Sequence, residues 1–191
     1  INVPTVTSND FYGGYIAAKH LIAHNYRNIA YIAKLKYKTS IDRCQGYLSA
    51  LMEQGLPINR KLIRFDSDCY RAMKDLIESS EALDAVFCFN DEVAQKCYQA
   101  ISESGKQISD DIGIIGYDNT DTCKMLPVPL TSVAYKNYEI GEKAAELLWG
   151  MINHQPLLDF EYYLFQPSIV ERNSCMGVQN PVSCSCQEKG M

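Results

Sequence analysis

Short, continuously apolar segments alternate along the chain with amphipathic segments of helical length, and this alternation constrains the fold more than any other feature. The clearest apolar segments are Asn28 to Ala33, Ala85 to Phe89 and Ile112 to Gly116. A strand without a polar face has to be buried on both sides, as in a parallel sheet that is covered by helices. The sequence therefore predicts an α/β fold, a three-layer sandwich with a parallel sheet in the middle.

The remaining elements follow from the period at which apolar residues recur. A recurrence of every three to four positions indicates a helix, and short β-prone runs indicate strands. The predicted helices run from Asn9 or Asp10 to Ile22, from about Ser40 to Gln54, and over Tyr70 to Ser79, Asp91 to Glu103 and Tyr138 to Ile152. The further predicted strands are Val3 to Thr7, Leu62 to Phe65, Leu130 to Tyr135, Tyr162 to Phe165 and Ser168 to Val170.

Charge and cysteine content exclude several classes of function. The chain of 191 residues has 18 basic and 23 acidic residues and a net charge of −5. Because binding to phosphates needs a basic surface, this charge argues against nucleic-acid binding by this chain alone. No apolar run approaches the ~18–20 residues that cross a membrane. The eight cysteines are scattered without a C-x-x-C motif. Free thiols are typical of a reducing cytoplasm, which is the location we expect.

Motifs for catalysis or metal binding are not apparent, so we expect no enzyme, cofactor or metal. There is no G-x-S-x-G elbow, no phosphate-binding loop and no H-E-x-x-H pair. His20 and His24 lie four residues apart on one helix, a spacing that can hold a metal, but no carboxylate or cysteine nearby in the sequence completes a set. We expect solvated histidines there, and a disordered tail with free thiols around Cys184 and Cys186.

Polar residues follow the predicted strands at the edge where ligands bind in such sheets. Arg43, Asn90, Asp91 and Asp118 supply guanidinium, amide and carboxylate groups, and Phe65 ends a further strand. These groups are what a polyhydroxylated ligand needs, since carboxylates accept hydroxyl protons and arginine donates in a rigid fork. Simpler interpretations stay open: Asp91 can cap its helix and Asp118 can form a turn.

Six stretches in order resemble the sensory domain of the LacI/GalR family of bacterial transcription regulators. This domain shares its fold with periplasmic sugar-binding proteins of type I. The stretches are Gly13–Ile22 with Arg27–Ile32, Arg43–Tyr47, Ala85–Asp91 with Ala94, Ile112–Asn119, Pro129–Val133 with Ile140, Gly141 and Ala144, and Ile169–Ser174.

The resemblance implies a function and a set of site residues. Family members have two lobes joined by three crossover strands, and a small effector that binds between the lobes alters the attached DNA-binding domains of a dimer. The matching positions imply that Arg43, Asn90 and Asp118 contact an effector, a sugar or related polyol or nucleoside. Phe65 matches an aromatic residue that covers the ligand in some members, and Tyr135 lies at a crossover that often contacts it.

The resemblance also implies a division of the chain, mainly into the C-terminal lobe, with the helix-turn-helix domain and most of the first lobe absent. We expect DNA contact only through that absent domain. The expected division is 1–8 as a crossover remnant of the first lobe, 9–132 as the C-terminal lobe, 133–159 as a crossover and a helix of the first lobe, 160–174 as the return to the C-terminal lobe, and 175–191 as a disordered tail.

Two questions follow from this division. The helix within 133–159 carries inward Ile140, Ala144, Leu147, Leu148 and Met151 but lacks its usual sheet, so we expect it to pack on its own lobe in an altered pose or to pair with another chain. The alternative functions are a periplasmic sugar-binding protein of the same fold and the sensory module of a signalling protein.

Overall fold

The computed structural model describes residues 3–79, 81–153 and 162–177 and confirms the predicted alternation of strands and helices. The strands are β1 (Thr5–Ser8), β2 (Ile29–Ala33), β3 (Ile63–Phe65), β4 (Ala85–Cys88), β5 (Gly113–Tyr117), β6 (Thr131–Ala134), β7 (Tyr162–Phe165) and β8 (Ser168–Val170). The α-helices are α1 (Asp10–Ala23), α2 (Lys38–Glu53), α3 (Cys69–Glu78), α4 (Asp91–Glu103) and α5 (Asn137–Ile152), and 3₁₀ turns cover Arg60–Leu62 and Asp121–Lys124.

Six strands form the main sheet in the order β3-β2-β4-β5-β6-β8. All neighbours are parallel except β8, which runs antiparallel to β6. The chain adds β3 on one side of β2 and then β4 on the other side, so the direction in which strands are added reverses at β2. In an open parallel sheet the carboxyl ends of the strands at such a reversal form a crevice that binds ligands.

Helices cover both faces of this sheet, which confirms the three-layer sandwich. On one face, Leu21 of α1 and Tyr47 of α2 pack on the buried strand residues Tyr31 and Phe87. The other face has its own cluster, in which α3 and α4 pack on alternate strand residues such as Val86. Since every residue of β2, β4 and β5 is buried, the sheet anchors whatever side chains follow its strand ends.

A second, two-stranded sheet pairs β1 with β7, and α5 packs against β1. The prediction that the apolar stripe of α5 faces inward is wrong for most of its residues. Gly150 is the buried residue of this helix, whereas Leu148 is 58% exposed and Met151 is 36% exposed. The short sheet offers α5 a narrow apolar contact on Val6 and its neighbours, too small to cover the whole stripe.

The C-terminal part of the described chain differs from the expected tail. Cys175 is fully buried, and the backbone N–H of Gly177 donates to the Tyr26 hydroxyl at 3.2 Å. Residues 175–177 are therefore part of the packed domain. The expected tail from 178 onward, with Cys184 and Cys186, lies outside the described residues. Among the described helices, none is long and apolar enough to span a membrane.

Candidate functional site

Arg43 lies at the carboxyl edge of the main sheet, where it connects two helices and the end of a strand. Its Nε donates to Oδ1 of Asp10 at 2.8 Å, and Nη1 donates to the backbone oxygen of Phe89 at 2.7 Å. The guanidinium carbon lies 3.4 Å from the centroid of the Tyr117 ring. The side chain is only 9% exposed. A charged group with so little exposure needs these partners.

Asp118 follows β5 and faces Arg43 across a gap. Its Oδ1 lies 3.9 Å from Nη1 of Arg43, longer than a direct hydrogen bond. Burial raises the pKa of Asp118 from 3.8 to about 6, an effect that Asp91 and Asp10 increase and that Arg43 opposes. The backbone of Asp118 is left-handed, with φ of 100°. The carboxyl group is thus held in a strained turn and keeps an acceptor free for a further partner.

Asn90 and Asp91 follow β4, and each makes hydrogen bonds that the sequence does not predict, while an effector contact of Asn90 stays a prediction. Oδ1 of Asn90 accepts from the N–H of Val93, so Asn90 caps α4 in place of Asp91. The Asp91 side chain accepts from the N–H and hydroxyl of Thr120, the thiol of Cys123 and the hydroxyl of Ser132.

Asp91 is therefore a support for the site. It is 1% exposed and offers no surface to a ligand, which corrects the predicted effector contact at this residue. Its partners Thr120 and Ser132 flank the Asp118 turn, where Ser132 also accepts from the N–H of Asn119. A buried carboxylate with four donors fixes the loop that carries Asp118.

The two predicted aromatic residues lie at different parts of the edge. Tyr135 follows β6, its ring centroid is 6.3 Å from that of Tyr117, and it lines the same cleft as Arg43. Phe65 ends β3, beside Ala33 of β2. It packs edge-on against Tyr31 at 5.8 Å, and Nζ of Lys36 lies 5.5 Å from its ring centroid.

Two clefts open at this edge. One of about 230 Å³ is lined by Arg43, Asp10 and Tyr135 together with Val6, Thr7, Ser8 and Ile140. The other, of about 350 Å³, lies at the strand-order reversal and is lined by Asn90, Phe89, Lys34, Leu35, Tyr37, Glu92 and Val93. Phe89 connects the clefts, because its carbonyl accepts from Arg43.

Sequence reasoning missed three residues of the site: Asp10, Phe89 and Tyr117. The sequence places Asp10 only at the start of a helix, yet its carboxylate lies closer to the Arg43 guanidinium than that of Asp118. The signal for Asp10 was its position directly after β1, at a strand end like those of the other site residues. Phe89 and Tyr117 carry no such signal, since Phe89 is the last residue of a predicted apolar strand and Tyr117 directly follows another.

The predicted histidine pair lies at the opposite end of α1. The structure brings Glu171, which follows β8, to the two rings: Nε2 of His24 is 3.6 Å from Oε1 of Glu171. A carboxylate that is distant in the sequence therefore completes a group that could hold a metal, and the buried Nε2 of His20 shows that this histidine is not solvated as expected. The sequence could not predict that Glu171 lies close to the two histidines, because this proximity depends on β8 pairing with β6.

Comparison with known proteins places this geometry in a family. The family model of the periplasmic binding protein-like domain matches residues 18–175, a span that includes Arg43, Asn90 and Asp118. The chain belongs to the periplasmic binding protein-like family. Within this family, LacI-type regulators are among the relatives found. The periplasmic binding protein-like match covers the whole main sheet, from β2 to β8.

Curated relatives of this periplasmic binding protein-like chain are repressors. It is 35% identical over 178 residues to the HTH-type transcriptional repressor PurR of Histophilus somni (strain 129Pt), covering 91% of this chain and 53% of the relative. It is 34% identical over 155 residues to that of Mannheimia succiniciproducens, covering 78% of this chain and 46% of the relative. The chain thus spans about half the length of the curated relatives it matches.

Solved structures agree with this assignment. A complex of the transcriptional regulator CelR with cellobiose has a TM-score of 0.84 and 26% identity, covering 91% of this chain and 54% of that one. A LacI family regulator from Enterococcus faecium with bound ribose has a TM-score of 0.82 and 29% identity, covering 92% of this chain and 67% of that one.

Proposed function

We propose that this chain is the small-molecule sensor of a bacterial LacI-type transcriptional regulator. An effector bound at the carboxyl edge of the main sheet would control DNA binding by a helix-turn-helix domain outside this chain. The observation that carries the proposal is the cluster of Asp10, Arg43 and Asp118, of which Asp10 and Arg43 line an open cleft.

The ligand that suits this cluster is a sugar or a related polyol or nucleoside. A ligand hydroxyl can donate to Asp118, whose carboxylate has no direct hydrogen bond to Arg43 at 3.9 Å. Tyr135 supplies an aromatic surface above the cluster for an apolar ring face. Cellobiose and ribose are the ligands named for the two similar regulator structures, and both are polyhydroxylated.

The proposal includes the partners and the location of the protein. Because the chain itself carries a net charge of −5, DNA contact is assigned to another domain. We propose a homodimer, in which closure on the effector changes the relative positions of two DNA-binding domains, and a cytoplasmic location, where a repressor reaches its operator. Binding rather than catalysis is the proposed activity. The repressor relatives favour this function over a periplasmic sugar-binding protein.

Thermal unfolding of the intact natural protein against ribose, cellobiose and a nucleoside panel tests the proposal. A ligand that binds the folded state raises the melting temperature. We expect at least one sugar-like compound to do so, and we expect Arg43→Ala and Asp118→Ala each to abolish that shift. The matched control is Arg71→Ala, which removes an exposed arginine from α3 and should keep the shift.

A DNA mobility-shift assay with the region upstream of the protein's own gene then tests regulation. The ligand that raises the melting temperature should change DNA affinity in the natural protein and leave it unchanged in Asp118→Ala. A panel without any stabilising compound contradicts the sugar-like ligand. A ligand-induced rise in melting temperature that persists in both Arg43→Ala and Asp118→Ala contradicts the assigned site.

A further inference from the structure

A compact group of potential metal ligands lies where α1 ends next to β8. One ligand atom each from His20, His24 and Glu171 lies within 4.8 Å of the other two. The imidazole ring centroids are 4.3 Å apart, and Nε2 of His24 is 3.6 Å from Oε1 of Glu171. Histidines four residues apart on one helix with a carboxylate from another element form a typical zinc ligand set.

The hydrogen bonding of His24 leaves one nitrogen available as a ligand. Nδ1 of His24 lies 2.9 Å from the backbone oxygen of His20, and since a carbonyl can only accept, Nδ1 carries the proton. The lone pair is then on Nε2, the atom that faces Glu171. A metal-binding histidine commonly donates its other N–H to a backbone carbonyl in this way, which fixes the ring orientation.

His20 provides a second, independent indication. Its Nε2 is buried and has no hydrogen-bond partner within the described ranges 3–79, 81–153 and 162–177. An unpartnered buried nitrogen costs free energy, so a satisfying partner is expected.

We propose that His20, His24 and Glu171 bind a divalent transition metal of the Zn²⁺ type, with water completing the coordination. The bound ion would connect the end of α1 to the segment after β8. This site lies at the end of α1 away from Asp10, about 15 Å along the helix from the Arg43 cluster. It is therefore separate from the proposed effector site and does not depend on the proposed function.

A plain ion pair between His24 and Glu171 is the competing explanation. Glu171 is 53% exposed, and an exposed pair at 3.6 Å contributes little. An ion pair would also leave the buried nitrogen of His20 without a partner among the described residues. The metal site accounts for all three residues together.

Isothermal titration of the full chain with ZnCl₂ tests the site. Cys184 and Cys186 are changed to serine in the background protein, because thiols outside the described residues compete for zinc. We expect one equivalent of tight binding, weakened at least ~10-fold by His20→Asn, His24→Gln or Glu171→Gln, since each removes a ligand. Glu78→Gln, at an exposed carboxylate on α3, is the matched control and should bind as the background does.

Thermal unfolding gives a second readout that does not depend on heat of binding. Zn²⁺ should raise the melting temperature of the background protein and of Glu78→Gln, but not of His24→Gln. Zinc affinity and stabilisation that persist in a His20→Asn and His24→Gln double variant overturn the proposal, as does a background protein that binds no zinc. Circular dichroism before zinc addition verifies that each variant is folded.

Discussion

Arg43 is the residue that organises the candidate site, because its guanidinium contacts α1, the end of β4 and the ring of Tyr117 at once. A guanidinium is a rigid fork, so its donors have fixed relative directions. The carboxylate of Asp10 and the carbonyl of Phe89 occupy two of these directions. Asp118 lies in a third direction with space between.

Arg43→Lys should destabilise the chain by about 1–3 kcal/mol, because one ammonium cannot replace two divergent donors and the stacking on Tyr117. Urea unfolding followed by circular dichroism measures this change. Arg71→Lys is the matched control on an exposed helix surface, where we expect a change within about 0.5 kcal/mol. Equal stability of the two variants would show that the Arg43 contacts contribute nothing beyond charge.

Asp118→Asn should stabilise the ligand-free chain at pH 7.5 by about 1–3 kcal/mol while abolishing effector binding. The folded-state pKa of Asp118, about 6, is above its ordinary 3.8. The protonated carboxyl of Asp118 therefore makes its full contribution to folding stability below pH 3.8, and this contribution is lost as the pH rises through 6. The neutral amide avoids that loss, and asparagine tolerates the positive φ.

Urea unfolding at pH 7.5 and at pH 4 measures the effect. The gain should shrink at pH 4, where the wild-type Asp118 is protonated in the folded state. Asp110→Asn changes an exposed carboxylate in the same way and should show no such pH-dependent gain. A gain of equal size at both pH values would contradict the assigned cause.

At the level of single residues, sequence could predict those that follow strands and belong to a recognisable motif. Arg43 and Asp118 are predicted in this way, and the structure brings them within 3.9 Å of each other, while their contact with an effector stays a prediction. Asp10 was not identified as an ion-pair partner, because its contact with Arg43 joins residues 33 positions apart and depends on how α1 crosses α2. Asp91 has the residue type expected of a ligand contact, and only its burial reveals a support.

Two glycines determine how closely α1 and α2 pack, and hence where Arg43 lies. A Cβ on Gly14 would be 1.9 Å from the backbone oxygen of Arg43, and one on Gly46 would be 1.9 Å from that of Phe11. Backbone atoms cannot move aside as side-chain ends can. The helices would have to separate, which would move Arg43 away from Asp10.

Gly14→Ala and Gly46→Ala should each cost about 1–3 kcal/mol or more and weaken effector binding. Gly141 of α5 is the matched control, since its added Cβ meets nothing within 4 Å. Gly141→Ala should stabilise the chain by about 0.5–1 kcal/mol through helix propensity. Thermal unfolding ranks the three variants. Stable Gly14→Ala or Gly46→Ala proteins with normal effector binding would contradict the close-packing argument.

The period of apolar residues predicted the helices well, but it could not predict what each helix packs against. The predicted helix from about Ser40 to Gln54 is α2 from Lys38 to Glu53, shifted by one or two residues. For α5 the bounds were again close, yet the stripe is largely exposed. Periodicity is a property of the helix alone, whereas burial requires an opposing surface.

The whole molecule consists of two parts with unequal packing. The main sheet is buried on both faces, whereas β1 and β7 form a two-stranded sheet with α5 alongside. A two-stranded sheet has marginal stability by itself. Local opening should therefore concentrate in the second part, which also contributes Val6 and Ser8 to the Arg43 cleft.

Amide hydrogen exchange should be at least ~10-fold faster in α5 than in α4, since α4 buries seven residues and α5 only Gly150. Mass spectrometry of proteolytic fragments measures both helices in one sample, with α4 as the internal reference. Light scattering of the same sample establishes the state of association. A monomer in which α5 is as well protected as α4 would contradict this prediction.

The pairing of β1 with β7 also affects how the protein is made. Thr5 lies opposite Tyr162, so β1 leaves the ribosome long before its partner strand exists. At about 5–20 residues per second, this wait lasts on the order of 10 s. During that time the nascent chain can complete β2 to β6, but not the wall of the cleft that faces Arg43. The cleft beside Arg43 is thus completed only after β7 has been synthesised.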